Sequence, residues 1–402
     1  MCKENETMIG IITLYYKNYN IGGLLQAYAL QKILSNLNIE SEQVRVWHYK
    51  REYITFQNKV SRKIGHIIKN PIKEAKVTIN NSNLKKRRKL IQDELLIREN
   101  LMEQFMDRIP HSNEVYDIYN ISESLQLYNG YIVGSDQIWN DDYITQDYMK
   151  INMLSFVPNT ILKMSYAASI GKHNNFKDWF INDLDYLKKF DTISVREKTA
   201  NAFLKNRKIE SIVTLDPTLL LEKDEWNKFV NKEKLECKSQ YVFTYFLGKD
   251  KENRIIAEKI AQRKNLSIVN FAHAINYFRD EDKYYGDYKI IEYSPDDFIN
   301  YIANAKIVIT DSFHAAVFSI IFNKEFWIVP RLDDSGISSM NSRLNDLLEA
   351  YGIQERYINT REDAENKNLY KKINYDDVNK HLNEQRKDSI EFIVNSIHKQ
   401  KN

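Results

Sequence analysis

Short apolar blocks alternate with amphipathic stretches along this 402-residue chain. Residues 9–15 are mostly apolar and predict a strand, whereas residues 24–37 place apolar side chains at helical spacing. Residues 43–47 predict a second strand. The chain therefore opens with a strand–helix–strand unit, which favours a parallel sheet.

The same alternation continues and then starts afresh after residue 240. Further strands are predicted in the first half at 131–134, 162–170, 192–196 and within 211–221, and in the second half at 241–247, 266–271, 307–309 and 326–329. We predict an α/β protein with two doubly wound parallel sheets, in domains 1–222 and 223–374, that face each other across a crevice. Residues 375–402 are predicted to form a helix that packs back on the first domain. A polar, basic stretch over about 50–110 is interpreted as a helical insert in the first domain.

Composition narrows the class of protein. The sequence has no apolar run of about 18 residues, so no spanning helix is expected. Its N-terminus lacks the apolar core of a secretory signal, and its two cysteines, Cys2 and Cys237, suggest no disulfide scaffold. These features predict a cytoplasmic protein.

Charge is unevenly distributed although the net charge is only +3. The segment from Arg62 to Lys89 holds ten Lys or Arg residues and one acid, Glu74. Such a segment is suited to an anionic membrane, an acidic polymer or nucleic acid; a solvated helix face is the plainer interpretation.

The most informative stretch is 307–322, where a buried strand breaks at Thr310 and becomes an apolar helix at once. A helix N-terminus directly after a strand binds anions, because its free N–H groups and dipole point at the ligand. Asp311 or Ser312 is expected to cap the helix, and His314 adds a group that titrates near neutral pH. The alternative is a capped core helix with a hydrogen-bonded histidine.

Three other loops follow predicted strands. Asn18–Gly23 carries paired glycines that allow close backbone approach, or simply form a tight turn. Gly134–Asn140 contains a carboxylate, amides, a hydroxyl and an indole, which are side chains that bind sugars. The alternative is that this sequence forms only an Asx-turn beside a Trp in the core. Arg196 ends a strand and is suited to a carboxylate or phosphate, unless it only pairs with Glu197. Arg331 and Arg343 are candidates for supporting cations.

Several kinds of chemistry lack a signature in the sequence. There is no His-Glu-x-x-His motif and no cysteine pair, so we predict no metal site. Neither a Gly-x-Gly-x-x-Gly fingerprint nor a Gly-Lys-Ser/Thr loop is present, which argues against dinucleotide cofactors and P-loop nucleotides.

Taken together, six motifs resemble those of the polysaccharide pyruvyl transferase family. In chain order they are Asn20-Ile-Gly-Gly-Leu-Leu-Gln-Ala-Tyr-Ala-Leu-Gln31, Val133-Gly-Ser-Asp-Gln-Ile-Trp-Asn140, Ser165-Tyr-Ala-Ala-Ser-Ile-Gly171, Ile193-Ser-Val-Arg-Glu197, Asp216-Pro-Thr-Leu-Leu220 and Thr310-Asp-Ser-Phe-His-Ala315. The resemblance implies two Rossmann-like domains arranged as in GT-B glycosyltransferases. It also implies transfer of a pyruvyl group from phosphoenolpyruvate to a sugar, as a ketal, with no cofactor besides this donor substrate.

The resemblance also implies residue roles. The family's phosphoenolpyruvate site uses an arginine and a histidine that match Arg196 and His314; some members place a basic residue where this chain has Ser312. We predict that His314 is the general acid or the phosphate anchor and that Asp136 is the base. The predicted donor-binding residues are Arg196, Ser312, Phe313, His314, Arg331 and Arg343. The predicted acceptor-binding residues are Asn20, Gly22, Gly23, Ser135, Gln137, Trp139 and Asn140.

The expected partners follow from the same resemblance. The acceptor is expected to be a lipid-diphosphate-linked oligosaccharide, with the basic segment 62–89 on an anionic membrane surface and no nucleic acid bound. A GT-B glycosyltransferase that uses a nucleotide sugar is one alternative. A non-catalytic protein that binds nucleic acid or a membrane surface is the other.

Overall fold

The computed structural model describes residues 8–48, 89, 91–172, 174–273, 279–331, 341–369 and 371–398. Two parallel sheets organise these residues, and the prediction of two Rossmann-like domains is confirmed. Most of the predicted insert over 50–110, including nearly all of the basic segment 62–89, lies outside the described residues.

The first sheet has seven strands in the order β3-β2-β1-β4-β5-β6-β7, and all its pairs are parallel. Its strands are β1 Ile9–Ile12, β2 Ser41–Val46, β3 His111–Tyr116, β4 Gly130–Val133, β5 Leu162–Ala168, β6 Thr192–Val195 and β7 Ile212–Val213. The order reverses between β1 and β4, so the crevice at this switch point is where an α/β sheet binds ligands.

The second sheet has five parallel strands in the order β10-β9-β8-β11-β12. Its strands are β8 Tyr241–Tyr245, β9 Ser267–Phe271, β10 Tyr288–Ile290, β11 Ile307–Thr310 and β12 Glu325–Ile328. Strand β11 is central, and its four residues are all buried, as expected for a strand covered on both faces.

Helices connect the strands on both faces of each sheet. Within the described residues they are α1 Ile21–Asn36, α2 Gln92–Met106, α3 Gln146–Asn152, α4 Asp178–Asp183, α5 Lys198–Lys205, α6 Pro217–Leu220, α7 Lys223–Asn227, α8 Lys251–Lys264, α9 Pro295–Asn304, α10 Phe313–Ile321, α11 Ser342–Ala350, α12 Arg361–Asn366 and α13 Tyr375–His398. The predicted helix over 179–190 divides into α4 and a 3-10 segment, Leu184–Lys189. The strand predicted within 211–221 shrinks to β7, and α6 follows it.

One apolar core joins the two domains. It runs from α1 through Trp226 to α10, and the Trp226 ring meets Phe318 edge-on with centroids 4.9 Å apart. Trp226 is fully buried, and its indole N–H donates to the carbonyl of Thr218 at 3.2 Å. The bond to Thr218 and a ring contact with Tyr28 of α1 at 5.8 Å link Trp226 to the first domain, and removing a buried Trp costs about 3–5 kcal/mol.

The last helix returns to the first domain. Helix α13 packs beside β5 and on α6. Its Ser389 hydroxyl accepts the N–H of Leu215 at 3.1 Å, and Arg386 donates to the carbonyl of Leu219 at 2.6 Å. The chain thus crosses from the second domain to the edge of the first sheet where β6 and β7 end.

Candidate active site

The β11–α10 junction holds its polar side chains firmly in place. Ser312 caps α10, with its hydroxyl 3.5 Å from the N–H of Ala315. Asp311 does not cap the helix, because its carboxylate accepts the N–H groups of Leu247 and Gly248 at 2.6 and 2.7 Å. The junction therefore presents the first turn of α10, with His314, towards the other domain.

His314 lies directly against the start of α1. A methyl group built on Gly22 would stand 2.1 Å from Nδ1 of His314, so only glycine leaves room for the imidazole. Asn20 begins α1 by accepting the N–H of Gly22 at 2.9 Å and that of Gly23 at 3.5 Å. The space that was predicted to admit an acceptor at Gly22 is thus filled by His314, which corrects that assignment.

Asp216 is the centre of the site, although sequence reasoning assigned it no role there. One carboxylate oxygen, Oδ2, accepts from Arg196 at 2.9 Å and from the Ser135 hydroxyl at 3.3 Å. The same oxygen lies 3.7 Å from Nε2 of His314. Oδ1 accepts the N–H and the hydroxyl of Thr218 at 3.0 and 2.6 Å, which caps α6. One carboxylate from the first domain therefore connects its own arginine to the histidine of the second.

The surroundings of Asp216 keep it ionised. Burial alone would raise its pKa, but the neighbouring imidazole of His314, the guanidinium of Arg196 and the bonds from Thr218 hold the pKa well below its usual range. A carboxylate of this kind stabilises the positive charge of Arg196.

Arg196 is buried and keeps unused hydrogen-bonding capacity. Besides Asp216, its nearest acids are Asp136 at 3.9 Å and Glu197 at 3.8 Å, both beyond hydrogen-bond length. Its Nε and second terminal nitrogen have no hydrogen-bond partner among the described residues. The guanidinium lies 4.5 Å from the centre of the Phe313 ring, a cation–π contact across the domains. An incoming anion would find two free donors here.

Glu197 organises the neighbouring loop instead of neutralising Arg196 through a direct bond. Its Oε1 accepts from the Ser169 hydroxyl at 2.9 Å and from the N–H groups of Ile170 and Gly171 at 2.9 and 3.0 Å. The Arg196–Glu197 ion pair considered from the sequence is present at 3.8 Å, but it is buried rather than on the surface, and Asp216 is the closer partner of Arg196.

The loop 134–140 divides into crevice-facing and structural residues. Ser135 donates its N–H to Gln26 at 3.1 Å and reaches Asp216 as described, and Asp136 lies beside Arg196 with its backbone in the left-handed region at φ 50°. Trp139 has no exposed surface, and its indole donates to the carbonyl of Asn152 at 2.9 Å. The prediction that Trp139 lines the acceptor side is therefore wrong, because its ring lies in the core of the first domain.

Gln137 and Asn140 bond to each other. The Asn140 amide donates to Oε1 of Gln137 at 2.6 Å, and its own oxygen accepts the N–H of Asp142 at 2.9 Å. Asn140 is 3% exposed, so it acts as an Asx-turn residue, whereas Gln137 keeps partial exposure. A ligand contact from Asn140 would require this turn to open.

A cavity of about 190 Å³ adjoins Arg196 on the side of β7, α11 and α13. Arg343 lines it together with Arg196, Phe313 and Asp216, while Leu215 and Leu347 contribute apolar wall. Burial and then the charge of Arg196 lower the pKa of Arg343 to about 10. The carboxylates of Asp216, Glu197, Asp346 and Asp388 also line the cavity, so its wall carries both signs of charge.

Arg331 lies between this cavity and the second sheet. Its N–H donates to the side chain of Asn341 at 2.8 Å, and its charge acts on both Arg343 and Asp311. Residues 332–340 between these two lie outside the described residues.

Two findings concern other kinds of site. In the described part of the chain, no three His, Cys, Asp or Glu side chains come together as a possible metal site. Among those same residues, none of the helices combines the length and the apolar character that crossing a bilayer requires.

Comparison with known proteins decides the family. A family model described as polysaccharide pyruvyl transferase matches residues 20–333. The chain belongs to this family. Arg196, Asp216 and His314, which meet across the crevice, all lie within the matched residues, and membership supports a transferase that acts in polysaccharide synthesis.

Solved structures agree on the fold. A Listeria monocytogenes protein described as a UDP-N-acetylglucosamine 2-epimerase has a TM-score of 0.53 at 13% identity, over 94% of this chain and 90% of that one. MnaA of S. aureus, solved with UDP, has a TM-score of 0.50 at 12% identity, over 89% and 86%. At such identities the likeness shows the two-domain fold alone. No similar sequence was found among curated proteins.

Proposed function

We propose that this protein transfers the pyruvyl group of phosphoenolpyruvate to a sugar of a bacterial surface polysaccharide precursor, forming a ketal across two hydroxyls. The observation that carries the proposal is the meeting of Arg196, Asp216 and His314 at the crevice, with Arg343 beside them. Phosphoenolpyruvate is a small trianion, and the buried guanidinium of Arg196 has two donors without a partner among the described residues that could bind it.

The reaction needs an acid, a base and an anion site. A proton added to C3 of phosphoenolpyruvate leaves positive charge at C2, where a sugar hydroxyl bonds and loses its proton. The bond from C2 to the phosphate oxygen breaks, and a second hydroxyl then closes the ketal. Of the two protons that the hydroxyls release, one balances the proton taken up at C3 and the other leaves with the phosphate.

The residues are assigned to these tasks by position. His314 is the general acid or the phosphate anchor, and Arg196 with Arg343 holds the donor's anionic groups. Asp136, next to Arg196 and near the start of α1, is the base for the acceptor hydroxyl. Asp216 touches no reacting atom in this scheme; it positions His314 and Arg196. We expect no cofactor, which full activity in the presence of a chelator would support.

The test is release of inorganic phosphate from phosphoenolpyruvate in the presence of a panel of galactosides, glucosides and mannosamine derivatives, with mass detection of the ketal. His314→Ala should lower the rate by about 10²–10⁴-fold, the usual contribution of a general acid. His381→Ala is the matched control, because that histidine is exposed on α13. Near wild-type rates for His314→Ala would refute the assignment, and release of a nucleotide from a sugar nucleotide would favour a glycosyltransferase.

We further propose that the acceptor is lipid-linked and that the protein works at an anionic membrane surface through the basic segment 62–89. Ten cationic residues against one acid support this, since each Lys or Arg near such a surface adds about 1 kcal/mol. Salt-sensitive binding to anionic vesicles, lost when 62–89 is removed, is the expected result.

A further inference from the structure

The cavity beside Arg196 continues past it to helices α11 and α13. Its buried end contains Arg196 and Asp216, whereas the exposed side chains of Ile212 and Val213 mark its opening to solvent. One bound water needs about 10–15 Å³ of such space. A cavity of about 190 Å³ therefore accommodates roughly a dozen non-hydrogen atoms, which is the size of one sugar residue.

Three polar atoms of residues in this wall are buried without a hydrogen-bond partner among the described residues. They are Oδ2 of Asp346 on α11, the hydroxyl of Tyr351 directly after α11, and Oε1 of Gln385 on α13. A buried polar atom left unpaired is costly. Three of them around one cavity point to a ligand that completes their hydrogen bonds.

Two cations close to these atoms are engaged elsewhere. Lys198 pairs with Glu349 on the surface at 3.1 Å. Arg386, next to Gln385 on α13, donates to the carbonyl of Leu219 at 2.6 Å. The three unpaired atoms therefore keep their hydrogen-bonding capacity for a ligand.

The wall of the cavity carries both signs of charge. Its cations are Arg196, Lys198 and Arg343, and its acids are Glu197, Asp216, Asp346 and Asp388. Apolar side chains lie between them, among them Leu215, Leu347 and Ala350. A strongly charged ligand that filled the cavity would meet like charge as well as opposite charge. An uncharged ligand with several hydroxyl groups and an apolar surface fits this wall better.

We propose that Asp346, Tyr351 and Gln385 bind the hydroxyl groups of one sugar residue of the acceptor. The oxygens of Asp346 and Gln385 accept hydroxyl protons, and the Tyr351 hydroxyl either donates or accepts. A sugar ring has hydroxyls round its edge and C–H groups on its faces, so its faces pack against Leu215 and Leu347. The inference rests on the proposed function for the identity of the ligand.

The place of this subsite suits the proposed reaction. The cavity reaches Arg196, whose guanidinium lies 3.9 Å from Asp136, the proposed base. A sugar held between α11 and α13 therefore has the base and the donor site at the buried end of its own cavity. The opening beside Ile212 and Val213 leaves room for the rest of an oligosaccharide to extend into solvent.

The probes are the methyl glycosides of galactose, glucose and N-acetylmannosamine, and their binding to the full-length protein is measured by saturation-transfer NMR. Wild-type protein should bind at least one of them. Tyr351→Phe should weaken that binding about fivefold, the loss of one hydrogen bond, and Asp346→Asn about tenfold, the loss of one bond to a charged group. The affinity for phosphoenolpyruvate should stay the same in both variants. Tyr119→Phe is the matched control, because that tyrosine is 87% exposed.

Thermal unfolding separates ligand binding from a structural role. Because the Tyr351 hydroxyl has no partner among the described residues, Tyr351→Phe should leave the unfolding temperature of the protein without ligand unchanged or raise it. A hydroxyl that stabilises the fold would instead lower the unfolding temperature when it is removed, and that result would overturn the proposal.

The binding results decide the rest. Binding of none of the three glycosides to wild-type protein would overturn the proposal, as would unchanged binding in both Tyr351→Phe and Asp346→Asn. Weaker phosphoenolpyruvate binding with unchanged glycoside binding would mean that the donor occupies this part of the cavity, which also overturns it. Failure of the proposed function is separate: a glycoside would bind through these residues, whereas no phosphate would be released from phosphoenolpyruvate.

Discussion

Replacing Asp216 by Asn tests the centre of the site through stability as well as rate. Asn keeps the size of Asp but has one acceptor oxygen and one NH₂ donor. Oδ1 of Asp216 accepts two bonds from Thr218, and Oδ2 faces Arg196 and His314. Whichever way the amide turns, its NH₂ group meets donors, and the buried guanidinium loses the one carboxylate that it hydrogen-bonds within the described part of the chain.

The expected loss is large. Breaking one partner of a buried ion pair costs about 3–5 kcal/mol, and Asp136 and Glu197, within 4 Å of Arg196, offset part of that. We therefore expect the free energy of unfolding to fall by about 3 kcal/mol at pH 7. Exposed Asp185, which pairs with Lys188 three residues on, is the control, and Asp185→Asn should change stability little.

The pH dependence identifies the cause. The pKa of Asp216 in the folded protein lies below that of an unfolded Asp, about 3.9. Its contribution is thus present above about pH 4 and is lost as the pH falls through the folded-state pKa. In urea unfolding followed by circular dichroism, the difference between wild type and Asp216→Asn should be present at pH 5 and shrink below pH 4. Equal stability at pH 7, or a difference that persists undiminished at pH 3, would refute this reasoning.

Two further changes test the contacts around this centre. Gly22→Ala should lower turnover by about 100-fold or more, because the new Cβ would stand 2.1 Å from Nδ1 of His314. Ala itself favours the helix by about 1 kcal/mol, so initial rates and thermal unfolding are both measured to separate the two effects. Normal turnover would contradict the close contact. Ser389→Ala removes the acceptor for the N–H of Leu215 and should lower the free energy of unfolding by about 1 kcal/mol. Ser35→Ala, at an exposed serine, is the control and should not lower it. Equal effects of the two substitutions would mean that α13 contributes nothing to stability through this bond.

The helices and strands with regular apolar patterns could be predicted from the sequence. Central strands such as β1 and β11 are buried on both faces, so their residues are almost all apolar and stand out. Strands β3 and β10 escaped prediction because polar side chains interrupt them and β10 has three residues, so neither forms an apolar block. His111–Tyr116 is correspondingly polar, with Asn113 and Glu114 exposed.

The site was only partly accessible for a different reason. His314 and Arg196 drew attention because each follows a strand and carries a recognisable charge pattern. Asp216 stands before Pro217, and that pair reads as the start of a helix, which it also is. Its second role depends on Arg196 and His314, which are distant in sequence, so no local pattern reveals it. The prediction for Trp139 was wrong for the opposite reason. An indole in a polar loop appears from the sequence to be exposed for ligand binding, but the fold buries it.

The shared carboxylate makes the site a property of the two domains together. Asp216 and Arg196 belong to the first domain and His314 to the second, and the His314 ring fits only because Gly22 has no side chain. Separating the domains would leave Asp216 and Arg196 paired but would remove both His314 and the Phe313 ring from them. The continuous core at Trp226 and the return of α13 oppose such a separation. The crevice is therefore preorganised: in the proposed reaction an anion at Arg196 would meet His314 already in place, and binding energy would not be needed to assemble the site.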